Sequence, residues 1–192
     1  MGDGCECSIP RGVRGSGWEL DAAVANAARD ADAALLLPAA LLSLYSAGVD
    51  IIVDAGSSGA LQPLNRDVLF KAIPKMWALA KDLAFEPLFS DQMHVASKCT
   101  STSSGVCFRS RHKLKAQLEV APALVNPVAP LSFQPGSTTS TFCAPCRAAV
   151  QERYEKMRQE AWDKVPEAFG LPGWDEMRGR EDELYGKAGN TL

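Results

Sequence analysis

Four cysteines in the second half of the chain are the residues whose type and spacing can do chemistry. Cys143-Ala-Pro-Cys146 has the two-residue gap that lets two thiolates turn toward one ion. Cys146 also opens a helical pattern, and a helix N-terminus favours the thiolate form. Cys99 and Cys107 lie upstream and can complete a closed four-sulfur site. The spacing therefore predicts a structural zinc ion bound by Cys99, Cys107, Cys143 and Cys146.

The sequence also allows other interpretations of these four cysteines. The usual zinc ribbon has two tight Cys-x-x-Cys knuckles, whereas Cys99 and Cys107 are further apart. Reduced structural thiols or a single disulfide are therefore alternatives to a metal. His94 and His112 lie in the same region and can replace a thiol as ligand.

A thiol oxidoreductase is a rival interpretation of the Cys143 to Cys146 pair, since dithiol redox sites also stand at helix N-termini. That function requires a strand before the motif, and Pro135-Gly-Ser-Thr-Thr-Ser precedes it instead. Other catalysis has little support, because the chain has only two histidines, with no Gly-x-Ser-x-Gly elbow and no His-Glu-x-x-His pair. The sequence predicts a protein that is not an enzyme.

A basic stretch follows Cys107 and offers a second functional class, a zinc-dependent nucleic-acid-binding module. Its members are Arg109, Arg111, Lys113 and Lys115. The whole chain has a formal net charge of -3, so it lacks the overall basic footprint of nucleic-acid-binding domains. The ordinary interpretation of the stretch is a solvated face, and a nucleic-acid partner is not favoured.

Size and composition are those of one globular domain. The 192 residues are 46% hydrophobic and 22% charged. The first residues lack the apolar run of a secretory signal, and six cysteines without one indicate a reducing compartment, the cytoplasm or nucleus. The segment Ala33 to Val53 is apolar enough to suggest a membrane span, but Pro38 and Gly48 interrupt it. We expect a buried core helix there and no membrane partner.

Helical periodicity dominates the chain and predicts a mainly α fold: a small helical bundle with a loop-rich, zinc-stapled segment and a C-terminal amphipathic helix. The predicted organisation is a disordered leader over 1–17, one helical domain over 18–177 and a frayed tail over 178–192. Within that domain we expect a helical part over 18–90 and a cysteine- and proline-rich loop part over 91–146. A C-terminal helix with its tail should follow over 147–177.

The first half should begin with an antiparallel helix pair. One helix presents Leu20, Val24, Ala27 and Ala28 to the core, and the other runs from Leu35 to Ala47 with Pro38 in its first turn and Gly48 as its stop.

Asn65 is predicted as the N-cap of the next helix. The residues predicted on its buried face are Leu69, Ile73, Trp77, Ala80 and Leu83. Pro74 should kink this helix or split it in two.

The final helix has the clearest apolar stripe, formed by Val150, Tyr154, Met157, Ala161 and Val165. Pro166 is predicted to end it. The large apolar residues beyond it should fold the tail back onto the bundle. Trp162 and Trp174 are either anchors in this packing or an exposed hot spot for a partner.

The order of these landmarks resembles the C-terminal region of fungal BTB/POZ-domain proteins. The chain shows Leu36-Leu-Pro-Ala-Ala40, then Cys99 and Cys107, then Cys143-Ala-Pro-Cys146-Arg147, and then a long motif from Trp162 to Trp174. The motif residues are Trp162, Pro166, Phe169, Gly170, Leu171, Pro172 and Trp174. The resemblance covers roughly Trp18 to Met177 and implies a helical region with spaced cysteines. The BTB fold itself is not expected within the leader, so its dimerisation and cullin-adaptor associations are not carried over. Together with the thiol set, the resemblance predicts a non-enzymatic module for binding another, unidentified protein.

Overall fold

The computed structural model describes residues 17–85, 99–100, 105–119 and 141–186. These ranges contain seven α-helices, one π-helical turn and no strand, which confirms the predicted mainly α fold. The helices are α1 Trp18–Asp30, α2 Leu37–Ala47, α3 Val49–Ser57, α4 Pro63–Leu79, α5 Val106–Glu119, α6 Ala144–Ala168 and α7 Trp174–Gly186. The π-helical turn, Ala80–Phe85, continues α4. Apart from Gly17, the predicted leader over 1–17 lies outside the described residues.

Helices α1 and α2 pack against each other as the predicted antiparallel pair. Ser43, late in α2, donates a hydrogen bond to Asp21 at the start of α1, with a distance of 2.6 Å between Oγ and Oδ2. The face predicted for α1 is wrong in part, because Leu20 is 68% exposed. The buried residues of α1 are Ala22, Ala25 and Ala28. A stripe of alanines lets two helix backbones approach closely, and the larger side chains then point outward.

Helix α2 is the buried core helix that the sequence predicts. It begins with Pro38 in its first turn and ends at Gly48, whose φ of 113° suits glycine. Leu41, Leu44 and Tyr45 are fully buried. The sequence analysis missed α3, which starts directly after Gly48. No single described helix has the length and apolar character to cross a membrane; α2 and α3 pass that test only as a pair, and the chain bends by 110° between them.

Helix α4 begins at Pro63 after the N-cap Gln62, so Asn65 is not the N-cap. Asn65 is instead buried, where its Oδ1 accepts a hydrogen bond from Arg29 Nε at 2.5 Å and its Nδ2 donates to Asn26 Oδ1 at 3.0 Å. Asn26 also accepts a hydrogen bond from the backbone N–H of Gln62 at 3.0 Å. The side chain of Asn65 therefore connects α4 to α1 rather than satisfying its own helix.

The predicted buried face of α4 is correct in part. Leu69 and Ala80 are buried as predicted and Ile73 packs against the core, whereas Trp77 is 42% exposed. The other buried residues of the helix are Asn65, Ala72 and Met76, and the side chain of Leu83 lies outside the described residues. The predicted split at Pro74 is wrong, because the α-helix runs unbroken from Pro63 to Leu79. Burial of side chains on both sides of Pro74 stabilises the helix across the proline.

The predicted stripe of α6 is confirmed. All five of its residues, Val150, Tyr154, Met157, Ala161 and Val165, are buried. Pro166 does not end the helix, which continues to Ala168, and Gly170 then turns the chain with a φ of 70°.

The tail folds back onto the bundle as predicted. The rings of Trp162 and Trp174 stack with centroids 4.8 Å apart, and Trp174 Nε1 donates to the carbonyl of Trp162 at 2.9 Å. Trp162 and Phe169 are buried in the main core, and Leu171 packs against it. Both tryptophans are therefore anchors of the fold.

Two parts of the predicted organisation need correction. The loop part over 91–146 contains α5, a helix of 14 residues. This stretch has no proline or glycine and many helix-favouring residues. The predicted tail over 178–192 is helical as far as Gly186, where α7 ends, and residues 187–192 lie outside the described residues. Acidic residues in the first turn of α7 complement its dipole, and Glu181 Oε1 accepts a hydrogen bond from the Leu35 backbone at 3.3 Å.

Two leucine truncations distinguish the observed core from the predicted one. Leu41→Ala removes a fully buried side chain and should lower the free energy of unfolding by about 2–5 kcal/mol. Leu20→Ala trims a side chain that is 68% exposed and should change it by less than about 0.5 kcal/mol. Urea unfolding followed by circular dichroism measures both. Equal losses would show that α1 buries its leucine face.

Candidate metal centre

Three separate segments bring the predicted thiols together. Cys99 is in the short described segment 99–100, Cys107 lies in the first turn of α5, and Cys143 is the N-cap of α6 with Cys146 in the first turn. All four Sγ atoms lie within 4.8 Å of one another. We call this group the thiol cluster. Both helices point their N-termini toward it.

The dimensions of the thiol cluster fit a tetrahedral metal site. With metal–sulfur bonds of about 2.3 Å, a tetrahedron places its sulfur atoms about 3.8 Å apart. The Sγ atoms of Cys99 and Cys143 are 3.8 Å apart, and none of the four cysteines is joined in a disulfide. The cluster can therefore hold one metal ion. Four sulfur ligands suit zinc and iron alike, so the geometry leaves the identity of the metal open.

Backbone amides stabilise negative charge on the cluster. The N–H groups of Cys146 and then Thr100 donate to the Cys143 thiolate, and together with smaller contributions from the neighbouring thiols they lower its pKa to about 6. The Cys143 N–H donates in turn to Cys107 Sγ at 3.3 Å. Metal ligation requires thiolates, so these hydrogen bonds prepare the cysteines for binding.

The cluster is supported by contacts between α5 and the segment that leads into α6. Gly105, with a φ of 62°, turns the chain into α5. Ser110 is buried and donates to the carbonyl of Val106 at 2.8 Å. The hydroxyl oxygens of Ser110 and Thr141 lie 2.5 Å apart, and the neighbouring Phe142 is buried. These contacts hold the N-termini of both helices next to each other.

The histidines are not part of the described cluster. His112 is on α5, where its ring makes an edge contact with Phe108 at a centroid distance of 4.4 Å. Among the described residues, the group of adjacent metal-ligating side chains consists of the four cysteines and does not include His112. His94 lies outside the described residues.

The basic residues proposed for nucleic-acid binding all fall on α5, but they do not share one face. Arg109 and Lys113 are four residues apart and exposed, so they point the same way. Arg111, which is half-buried, is offset from each of them by two residues, and the side chain of Lys115 lies outside the described residues. A phosphate backbone that lies along one side of α5 could therefore contact only some of these basic side chains.

No protein-family model, curated protein or solved structure matches this chain. The interpretation of the cluster therefore depends on its own chemistry.

The reactivity of Cys143 should follow its low pKa. In metal-free protein, we expect the rate of Cys143 alkylation by iodoacetamide to rise through a pH of about 6. Because folding lowers this pKa from its ordinary value of 9.0, the associated stability is fully present above 9.0 and is lost as the pH falls through about 6. Peptide mass spectrometry of timed samples measures the labelling.

Cys5 and Cys7 provide the internal comparison for this experiment, because neither is one of the four predicted metal ligands and both lie outside the described residues. If Cys143 and these two cysteines were alkylated with the same pH dependence, near the ordinary thiol pKa of 9.0, the backbone hydrogen bonds to Cys143 would have no effect on its ionisation.

Proposed function

We propose that this chain is a non-enzymatic protein-interaction module in which a structural zinc ion joins Cys99, Cys107, Cys143 and Cys146. The single observation that carries the proposal is the convergence of four cysteine Sγ atoms, none of them in a disulfide, from three segments within 4.8 Å. Zinc is the metal most often bound by a closed set of four cysteines in proteins, and it brings no redox chemistry.

A structural role fits the ligand count better than a catalytic one. Catalytic zinc sites keep one position open for water or substrate, whereas four protein thiolates complete the tetrahedron. Two of the thiols, Cys107 and Cys146, are buried, which limits access to the ion from that side.

The metal would close long loops of the chain. Cys107 and Cys143 are 36 residues apart, and Cys99 and Cys143 are 44 apart. Holding such distant segments together has an entropic cost that hydrogen bonds such as the one between Ser110 and Thr141 offset only in part. The binding free energy of the metal would contribute directly to the folding of this half of the molecule.

The role in protein binding draws on the resemblance to the C-terminal region of BTB/POZ-domain proteins. In this proposal the bundle and its thiol cluster form a rigid scaffold, and the exposed apolar side chains of the helices supply the contact surface. Such side chains include Phe70, Trp77 and Phe108, each more than a third exposed.

Metal content and thermal stability test the proposal together. Protein purified under reducing conditions without added metal should contain roughly one zinc per chain by elemental analysis. A chelator should lower the unfolding midpoint by roughly 5–10 °C, because the metal's contribution to folding is lost. Cys143→Ser should abolish zinc binding and make the midpoint insensitive to the chelator.

Cys7→Ser is the matched control, since it removes a thiol that is not one of the four proposed ligands. It should keep both the zinc and the response to the chelator. Metal-free, folded protein whose midpoint is the same with and without chelator would contradict the structural zinc site.

A dithiol redox function is the second candidate, and the low pKa of Cys143 is the observation that favours it. The two functions predict different rates of Cys143 alkylation. Bound zinc should slow alkylation of Cys143 until a chelator is added, whereas a redox dithiol should be alkylated quickly with or without chelator.

A further inference from the structure

Helix α4 has two apolar sides. One is buried in the core, and the other carries an apolar stripe that is exposed to solvent. Phe70, Pro74 and Trp77 are spaced i, i+4 and i+7, so they lie on one side of the helix. Phe70 is 38% exposed and Trp77 is 42% exposed. The core is filled by the opposite side, so this stripe is not required for the packing of the bundle.

Lysines border the stripe. Lys71 and Lys75 are exposed and lie one turn apart, next to the stripe on the helix surface, and Lys81 follows on the π-helical turn. Between Val68 and Lys81 the chain has no acidic residue. A protein with a formal net charge of -3 therefore has a positive strip beside exposed aromatic rings. We call the exposed side chains Phe70, Lys71, Pro74, Lys75 and Trp77 the α4 face.

A cleft of about 400 Å³ adjoins the α4 face, between α4 with its π-helical turn and the end of α6. Its apolar lining is provided by Ala78, Leu79 and Ala168, and its charged lining by Lys75, Asp82, Lys164 and Glu167. The cleft has room for one or two large apolar side chains. The positions of Lys75 and Ala78 on the helix make the cleft continuous with the α4 face.

We propose that the α4 face and this cleft bind an acidic, amphipathic helical segment of a partner protein. An apolar side chain of the segment would enter the cleft, a second would cover Trp77, and carboxylates would pair with Lys71 and Lys75. This proposal rests on the function proposed above, that of a protein-interaction module, and names the chemistry of its partner.

The charges of this face disfavour a second copy of the chain, a nucleic acid or an anionic membrane as its partner. A symmetric dimer through this face would bring Lys71 and Lys75 of both copies into one interface, where like charges repel. A nucleic acid or an anionic membrane would bring phosphates toward the carboxylates of Asp82 and Glu167 in the cleft. A peptide can place carboxylates on the lysines and an apolar side chain in the cleft, so it satisfies both regions.

Fluorescence anisotropy with designed peptides tests this assignment on the full chain as purified. The probe is a labelled, alanine-rich peptide of roughly 15 residues, with leucine or phenylalanine at i, i+3, i+4 and i+7 and glutamate at a few of the other positions, so that it can form a helix. Its counterpart has lysine in place of glutamate. We expect the acidic peptide to bind and the basic one to bind at least about tenfold more weakly, with the difference shrinking as salt is added.

Substitutions on the α4 face and elsewhere test where the acidic peptide binds. Trp77→Ala and the double substitution Lys71→Glu/Lys75→Glu should each weaken the acidic peptide by about tenfold or more. The charge-reversed protein should in turn prefer the basic peptide. Leu20→Ala and Lys113→Glu change exposed residues of α1 and α5 and are the matched controls, which should bind like the parent protein.

Several results would overturn the proposal: equal binding of the two peptides, equal losses in the control variants, or binding of oligothymidylate or phosphatidylserine vesicles through the α4 face in place of the acidic peptide. Zinc content measured on the same samples separates this proposal from the function on which it rests. Zinc-loaded protein that ignores the acidic peptide refutes the α4 face alone. Metal-free, chelator-insensitive protein refutes the zinc scaffold whatever the peptide does.

Discussion

A single continuous helix, α6, joins the thiol cluster to the hydrophobic core, and most of the described structure depends on it. Its N-terminal end holds Cys143 and Cys146, and its C-terminal half supplies Ala161, Trp162 and Val165 to the core. The apolar stripe along the helix keeps the same side buried over 25 residues. The orientation of the two cysteines is therefore set by the packing of side chains several turns away.

The two ends of α6 are stabilised by different forces. At the C-terminal end, burial of large apolar groups dominates, and the stacked pair of Trp162 and Trp174 fastens α7 to the bundle. At the N-terminal end, backbone amides at the start of α6 and that of Thr100 donate to sulfur atoms of the cluster, and the favourable interaction is with negative charge. A metal ion at that end would balance the thiolate charges and connect α5 to α6. The helical bundle can thus form by hydrophobic burial, while the cysteine-bearing half draws on coordination.

The buried face of a helix was predicted correctly where many large apolar residues recur at helical spacing. The stripe of α6 was predicted correctly because five residues recur at helical spacing. The face of α1 was predicted wrongly because its leucine and valine are larger than its alanines, and hydrophobicity alone favours the larger side chains for the core. Close packing against α2 selected the alanines instead. Asn65 was misplaced for a similar reason, since its partners Arg29 and Asn26 are distant in sequence.

By itself, the amino-acid sequence determined the helical class of the fold, the limits of α2 at Pro38 and Gly48, and the candidate thiols. These features depend on local backbone preferences and on the chemistry of single residue types. Only the tertiary structure decided that Cys99 and Cys107 approach Cys143, that Trp77 faces solvent, and that α7 continues to Gly186. Each of these depends on contacts between segments far apart in the chain, whose free energies no local pattern encodes.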